Sequence, residues 1–179
     1  GIVDAARLLR LENFWVLLTS PPCRQKVLAH LEAAAERCDD ARVDDQTLKT
    51  TALAVEGPRA GDLLAGVAPF DPRNLAAGQL HTGWMLIARY IAERYSHTRT
   101  WGATVLLPNL AAEQAWRFIT AAAGDSAIRP AGLAAWDVLR VEAGRPRYGH
   151  ELNETIDPYQ AGLGALVDFG HAFLGAEAL

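Results

Sequence analysis

The stretch Gly132–Phe169, GLAAWDVLRVEAGRPRYGHELNETIDPYQAGLGALVDF, constrains the fold of this chain more than any other. Leu133, Trp136, Leu139 and Arg140 fall on i, i+3, i+4 spacing, with Pro130 just ahead and Gly144 just behind, which predicts a helix with both ends marked. Gly144, Pro146, Gly149 and Pro158 then sit among charged residues, so the loop that follows is shaped by residue choice. Leu163, Leu166, Val167 and Phe169 predict a strand that returns the chain to a core. A loop this long and this rich in Gly and Pro points to function.

The remaining chain alternates between strand and helix patterns. Ala6–Leu11 and Phe14–Thr19, parted by Glu12 and Asn13, predict a β-hairpin. Pro21-Pro22 opens a helix over about Arg24–Arg37, with Val27, Leu28 and Leu31 on one face. Val43 is expected in a short strand and Thr50–Val55 in a stronger one. Gly57-Pro58 starts a helix with Leu63, Leu64 and Val67 inward. Gln79–Glu93 reads as one kinked strand, Tyr95–Gly102 as a polar loop and Val105–Leu107 as a strand. Asn109 is expected to cap a helix running to about Ala123, with Ala112, Ala115, Trp116 and Ile119 inward. Hairpins and crossovers together predict an α+β fold with mixed or antiparallel sheets and packed helices.

Charge and composition exclude several function classes. A net charge of -4 lacks the basic face that nucleic acid requires. No apolar run reaches membrane-spanning length and no signal-peptide pattern is seen, so neither partner is expected. Half the residues are apolar, which argues for a packed domain. Cys23 and Cys38 lack partners at metal spacing and read as reduced thiols of a cytoplasmic protein. His81, His150 and His171 share no ligand-like spacing with carboxylates, so no metal is expected.

WDVLRVEAGRPRYGHELNETIDPYQAGLGALVDF closely resembles the hallmark segment of the aminomethyltransferase family, the glycine-cleavage T-protein and its relatives. That family runs D-x-L-R-x-E-A-G into Y-G-x-[DE] and then P-x-x-A-G-L-G. Asp137, Leu139, Arg140, Glu142, Ala143, Gly144, Tyr148, Gly149, Pro158, Ala161, Gly162, Leu163 and Gly164 match in order. LAVEGPRAGDLL is similar to the family's L-A-x-Q-G-P-x-A segment, and FLGAEAL to its F-x-G-x-x-A-L. The resemblance implies that residues 1–179 form a T-protein-like folate-binding region. The family's N-terminal segment and C-terminal barrel are expected to lie outside it, and Gly1 stands without an initiator Met.

The same resemblance implies tetrahydrofolate as cofactor and assigns site residues. Proton handling in the family is attributed to an Asp in G-[IV]-[LV]-D-D; this chain opens Gly1-Ile2-Val3-Asp4-Ala5, so alanine stands at that position and Asp4 remains as the candidate. In a strand, Asp4 and Ala5 would point to opposite faces. Ser20 takes the Asn position of the family's V-x-N-A. The loop R-x-G-Y-T-G-E-D-G-x-E corresponds to Arg94–Thr104. It keeps Arg94, Thr98 and Gly102, places His97 at the tyrosine, and replaces the pterin-binding Glu by Thr104. Trp136 replaces an Arg ahead of D-x-L-R, while Arg140 and Tyr148 are kept. Trp101 in the same loop could stack on a flat ligand.

Each of these residues also has a plain structural reading. Arg140 and Glu142 read as an ion pair at a helix end, Tyr148 as loop packing, His97 as a solvated histidine and Trp136 as core. Three functions follow. One is a tetrahydrofolate-dependent one-carbon (aminomethyl) transferase, divergent and weakly active because of Ala5, Thr104 and Trp136. A second is a non-catalytic folate-binding accessory protein for iron–sulfur enzyme maintenance, although the Lys-x-Cys-Tyr-x-Gly-Gln-Glu signature of that branch is absent after Phe169. A third is a degenerate interaction module with a protein partner.

Overall fold

In a computed structural model the described residues are 1–85, 87–122, 128–173 and 175–179. They form two compact units: Gly1–Asp44 with Pro146–Leu179, and Asp45–Arg145. Both are α+β, and every strand pair in the two sheets is antiparallel.

In the first unit, β1 (Arg7–Arg10) and β2 (Trp15–Leu18) form the expected hairpin, with Leu9 opposite Val16. Pro21-Pro22 fix one 3₁₀ turn that leads into α1 (Arg24–Ala35). Val27, Leu28 and Leu31 are half-buried on one side of α1. Among the described residues the buried apolar ones here are Leu9, Cys23 and Leu152. Backbone bonds add closure, because the Ile2 N–H donates to the carbonyls of Asn153 and Ile156 at 3.1 and 3.0 Å.

The second unit is a four-stranded sheet in the order β3 (Thr50–Glu56), β6 (Gly102–Pro108), β5 (Ala88–Glu93), β4 (Leu80–Met85). Among the described residues its helices are α2 (Ala60–Ala65), α3 (Asn109–Ala122) and α4 (Leu133–Glu142). Strand alternation sorts side chains by face. Tyr90, Ala92 and Leu107 point one way, with Leu53 and Val105, and pack with Ala115 of α3. Glu56, Glu93 and Thr104 belong to the opposite set. An apolar cavity of about 50 Å³ lies on the core side among Leu53, Phe70, Met85, Leu107 and Phe118, too small for a folate.

Several expectations need correction. Gln79–Glu93 is a hairpin and not one kinked strand: Met85 pairs with Ala88, so the chain reverses within two residues. Ile87 is 82 % exposed at the tip. An apolar tip without Gly or Asn carries no turn signal. Val43 joins no ladder, and the Asp45 carboxylate there accepts the Thr47 N–H at 3.0 Å, a local turn in place of a strand.

No strand forms over Leu163–Phe169. Gly162 has φ 70°, which breaks an extended run, and local bonds (Leu163 to Pro158, Leu166 to Leu163, Val167 to Gly164) occupy the amides a ladder would need. Leu166 and Phe169 are 79 % and 55 % exposed. Asn109 does not cap α3; its side chain accepts from the Thr51 hydroxyl and donates to the Leu48 carbonyl, each at 2.8 Å, tying the helix start to β3. Ala115 faces inward as expected, while Trp116 is exposed. Ala123, the expected helix end, lies outside the described residues.

Leu107 is 2 % exposed, so Leu107→Ala should cost about 2–4 kcal/mol, whereas Leu166→Ala should stay within about 0.5 kcal/mol, both read from urea denaturation midpoints. A large loss at Leu166 would restore the strand reading.

Candidate functional site

β3 ends in Glu56, and Gly57 follows with φ 139°, a value open to glycine. The turn aims the Glu56 carboxylate at the loop between β5 and β6. It accepts the backbone N–H of His97 (3.0 Å) and of Thr98 (3.0 Å) and the hydroxyls of Thr98 (2.7 Å) and Ser96 (3.1 Å). His97 Nδ1 lies 2.7 Å from the same carboxylate. Burial alone would raise the Glu56 pKa, but the bonds from His97 and Thr98 outweigh it and hold it at about 2. Glu56 is therefore an anion at neutral pH, and Nδ1 must be the donor.

His97 is wedged edge-on between Tyr95, 4.8 Å between ring centroids, and Trp136 of α4, 5.0 Å. Its side chain is only 24 % exposed, which corrects the reading of a solvated histidine. Trp136 is half-buried and meets the loop. Arg94 sends Nη1 to the Gly102 carbonyl at 2.9 Å and lies over the Trp101 ring at 4.2 Å. Gly61 of α2 also packs against that indole, where a Cβ would come within 2.9 Å of the ring. The structure thus brings Arg94, His97, Trp101 and Trp136 into one loop-centred cluster, with both partners of Trp101 supplied by the protein.

Thr104 on β6 is 3 % exposed, and its hydroxyl makes no hydrogen bond among the described residues. Its cross-strand partner Glu93 is buried as well. Arg140 is buried and pairs through Nε with Asp137 at 2.7 Å, while Nη1 donates to the Arg145 carbonyl at 2.9 Å. Asp137, three residues away on the same face of α4, replaces the expected partner Glu142, which points to solvent.

In the first unit Asp4 precedes β1 and lies outside the ladder, so strand alternation does not govern it. Its carboxylate accepts the N–H groups of Ala5 (2.8 Å) and Ser20 (2.9 Å), bracing two loops. Burial, reinforced by Asp4, pushes the Cys23 thiol to about 11 and leaves it inert. Tyr148 is held by Lys26, whose ammonium bonds its hydroxyl and the Glu154 carboxylate and sits 3.9 Å from the ring centroid. Among the described residues no group of three His, Cys, Asp or Glu could hold a metal ion, and no helix is long and apolar enough to cross a membrane.

Sequence reasoning passed over Glu56, Glu93, Arg99 and Lys26. Glu56 carried one signal: it is a carboxylate where the similar segment L-A-x-Q-G-P-x-A has Gln. Arg99, with φ 60°, is left-handed where that loop pattern has Gly.

The chain belongs to the GCVT N-terminal domain family, which it matches over residues 1–171. It is similar to the aminomethyltransferase of Streptomyces avermitilis, 32% identical over 183 residues that cover 100% of this chain and 49% of that protein. The aminomethyltransferase of Chlorobium limicola is 29% identical over 181 residues (99% and 50%), and that of Moorella thermoacetica 36% over 138 (76% and 38%). The chain spans about half the length of the curated relatives it matches.

Two stability outcomes are expected. The depressed Glu56 pKa makes its contribution whole above about pH 4.5 and lost as pH falls toward about 2. Glu56→Gln should therefore cost about 1–3 kcal/mol at neutral pH and flatten the stability curve over that acid range in denaturant titrations. Arg99→Gly should raise the denaturation midpoint, worth about 0.5–1 kcal/mol, by relieving the left-handed backbone. An unchanged acid limb, or a lower midpoint for Arg99→Gly, would contradict these assignments.

Proposed function

We propose that residues 1–179 form the folate-binding region of a tetrahydrofolate-dependent one-carbon transferase of the aminomethyl type, working in the cytoplasm with weakened ligand contacts. The observation that carries this reading is the family match over residues 1–171. Tetrahydrofolate, when bound, supplies the nitrogen that receives the one-carbon unit. The chain's own task is to hold and orient it.

One observation supports a polar ligand in the second unit: the Thr104 hydroxyl is buried without a partner among the described residues. It stands where the family resemblance puts the pterin-binding Glu. A hydroxyl offers one oxygen where a carboxylate offers two, so the ring edge of the ligand is held by fewer charge-assisted bonds. Arg94, His97, Trp101, Trp136 and Arg140 are the other residues of this unit assigned to the ligand. In the first unit the assignment of Ser20 and Tyr148, and of Asp4 as the remaining acid near Ala5, rests on the resemblance alone. Transfer by this region is correspondingly slow. Free Cys23 and Cys38 agree with a reducing compartment.

A second reading, an interaction module that no longer binds folate, is favoured by α4, where Leu133, Val138, Leu139 and Val141 are 76 %, 59 %, 45 % and 55 % exposed.

Calorimetric titration of this chain with tetrahydrofolate separates the two. Saturable binding is expected, and Thr104→Val should weaken it about tenfold while stabilising the free protein by about 1 kcal/mol, since a buried hydroxyl without a partner is removed. Absence of heat and of thermal stabilisation would leave the interaction module.

A further inference from the structure

Glu56 and His97 are more than a loop brace. The carboxylate fixes the imidazole by its Nδ1, 2.7 Å away, and four further donors from the loop hold the carboxylate in turn. His97 Nε2, by contrast, makes no hydrogen bond among the described residues, and the ring keeps 24 % of its surface exposed. With the proton on Nδ1, the neutral ring presents an Nε2 lone pair outward. An imidazole oriented by a half-buried carboxylate on one nitrogen and open on the other is the arrangement that proton transfer requires. Tyr95 and Trp136 flank the ring edge-on, and Arg145 lies over the Tyr95 ring at 5.8 Å. Both members differ together from the family pattern: Glu56 stands at a Gln and His97 at a Tyr, a pair of residues that could not form this couple.

We propose that Glu56 and His97 form an acid–base pair whose working atom is His97 Nε2, and that its substrate is a protonated amine. The ammonium N–H bond breaks and an Nε2–H bond forms. The electron pair stays on the amine nitrogen, and the imidazolium is neutralised by Glu56. Returning the proton reverses both changes, with no carbon bond altered and no oxidant or reductant consumed. The substrate class rests on the one-carbon reading, whose chemistry begins from an amine; the couple itself rests on the geometry.

The pair can be tested without folate. Nitrogen-15 NMR of this chain, at a pH where imidazole is neutral, should show His97 with its proton on Nδ1, the reverse of the form free imidazole side chains favour in water. Acylation by diethyl pyrocarbonate, followed by peptide mass spectrometry, should mark His97 fastest of the five histidines and about tenfold slower in Glu56→Gln. Methylammonium should shift the His97 Nε2 signal saturably, and tetramethylammonium, which has no N–H, should not. A proton on Nε2, or equal reactivity in a folded Glu56→Gln variant, would overturn the couple. Equal responses to the two cations would overturn the amine. If Glu56→Gln fails to fold, the wild-type spectrum still decides. A tetrahydrofolate titration without heat, beside a correct spectrum, would remove the folate reading and leave the couple standing.

Discussion

The second unit depends on one half-buried carboxylate, that of Glu56. Glu56 is the last residue of β3, and the loop it holds begins about forty residues later, past α2 and the β4–β5 hairpin. Without the charge, the His97 N–H would lose its acceptor and the Thr98 N–H would keep only the Ser96 hydroxyl, 3.1 Å away. With it, His97 meets Trp136, Arg94 settles on Trp101, and Trp101 closes on Gly61. The half-buried anion is tolerated because its lone pairs are taken by aligned donors, so desolvation is offset locally.

That arrangement explains which parts of the molecule could be read in advance. Elements set by local periodicity were legible: the β1–β2 hairpin, α1, β3, α3 and α4 all follow spacing and flanking Pro or Gly. The β4–β5 reversal was not, because Leu86 and Ile87 are apolar and the run is unbroken. Leu163–Phe169 misled in the opposite sense: its apolar pattern suits a strand, but Gly162 and three short-range bonds close the segment on itself, so no partner strand is needed.

The candidate site divides along the same line. The Arg94–Thr104 loop could be found from its pattern, and the structure does cluster Arg94, His97, Trp101 and Trp136. What those side chains do was hidden, because their partners are distant in sequence. A histidine in a polar loop reads as solvated until a glutamate from another strand is seen to hold it. Arg140 shows the same limit at short range, since Asp137 and Glu142 both lie within reach in sequence and only the helix face decides between them.

The first unit is built from two separated pieces of chain, Gly1–Asp44 and Pro146–Leu179, whereas the second is one continuous run. The order of synthesis then matters. The second unit can fold as soon as Arg145 has emerged, while β1, β2 and α1 wait for residues 146–179 before Ile2 can meet Asn153 and Ile156. The entropy of closing so long a loop grows only slowly with length, and a folded insert shortens the effective span further. On the ribosome, Gly1–Asp44 therefore emerges before the second unit and is completed only after it.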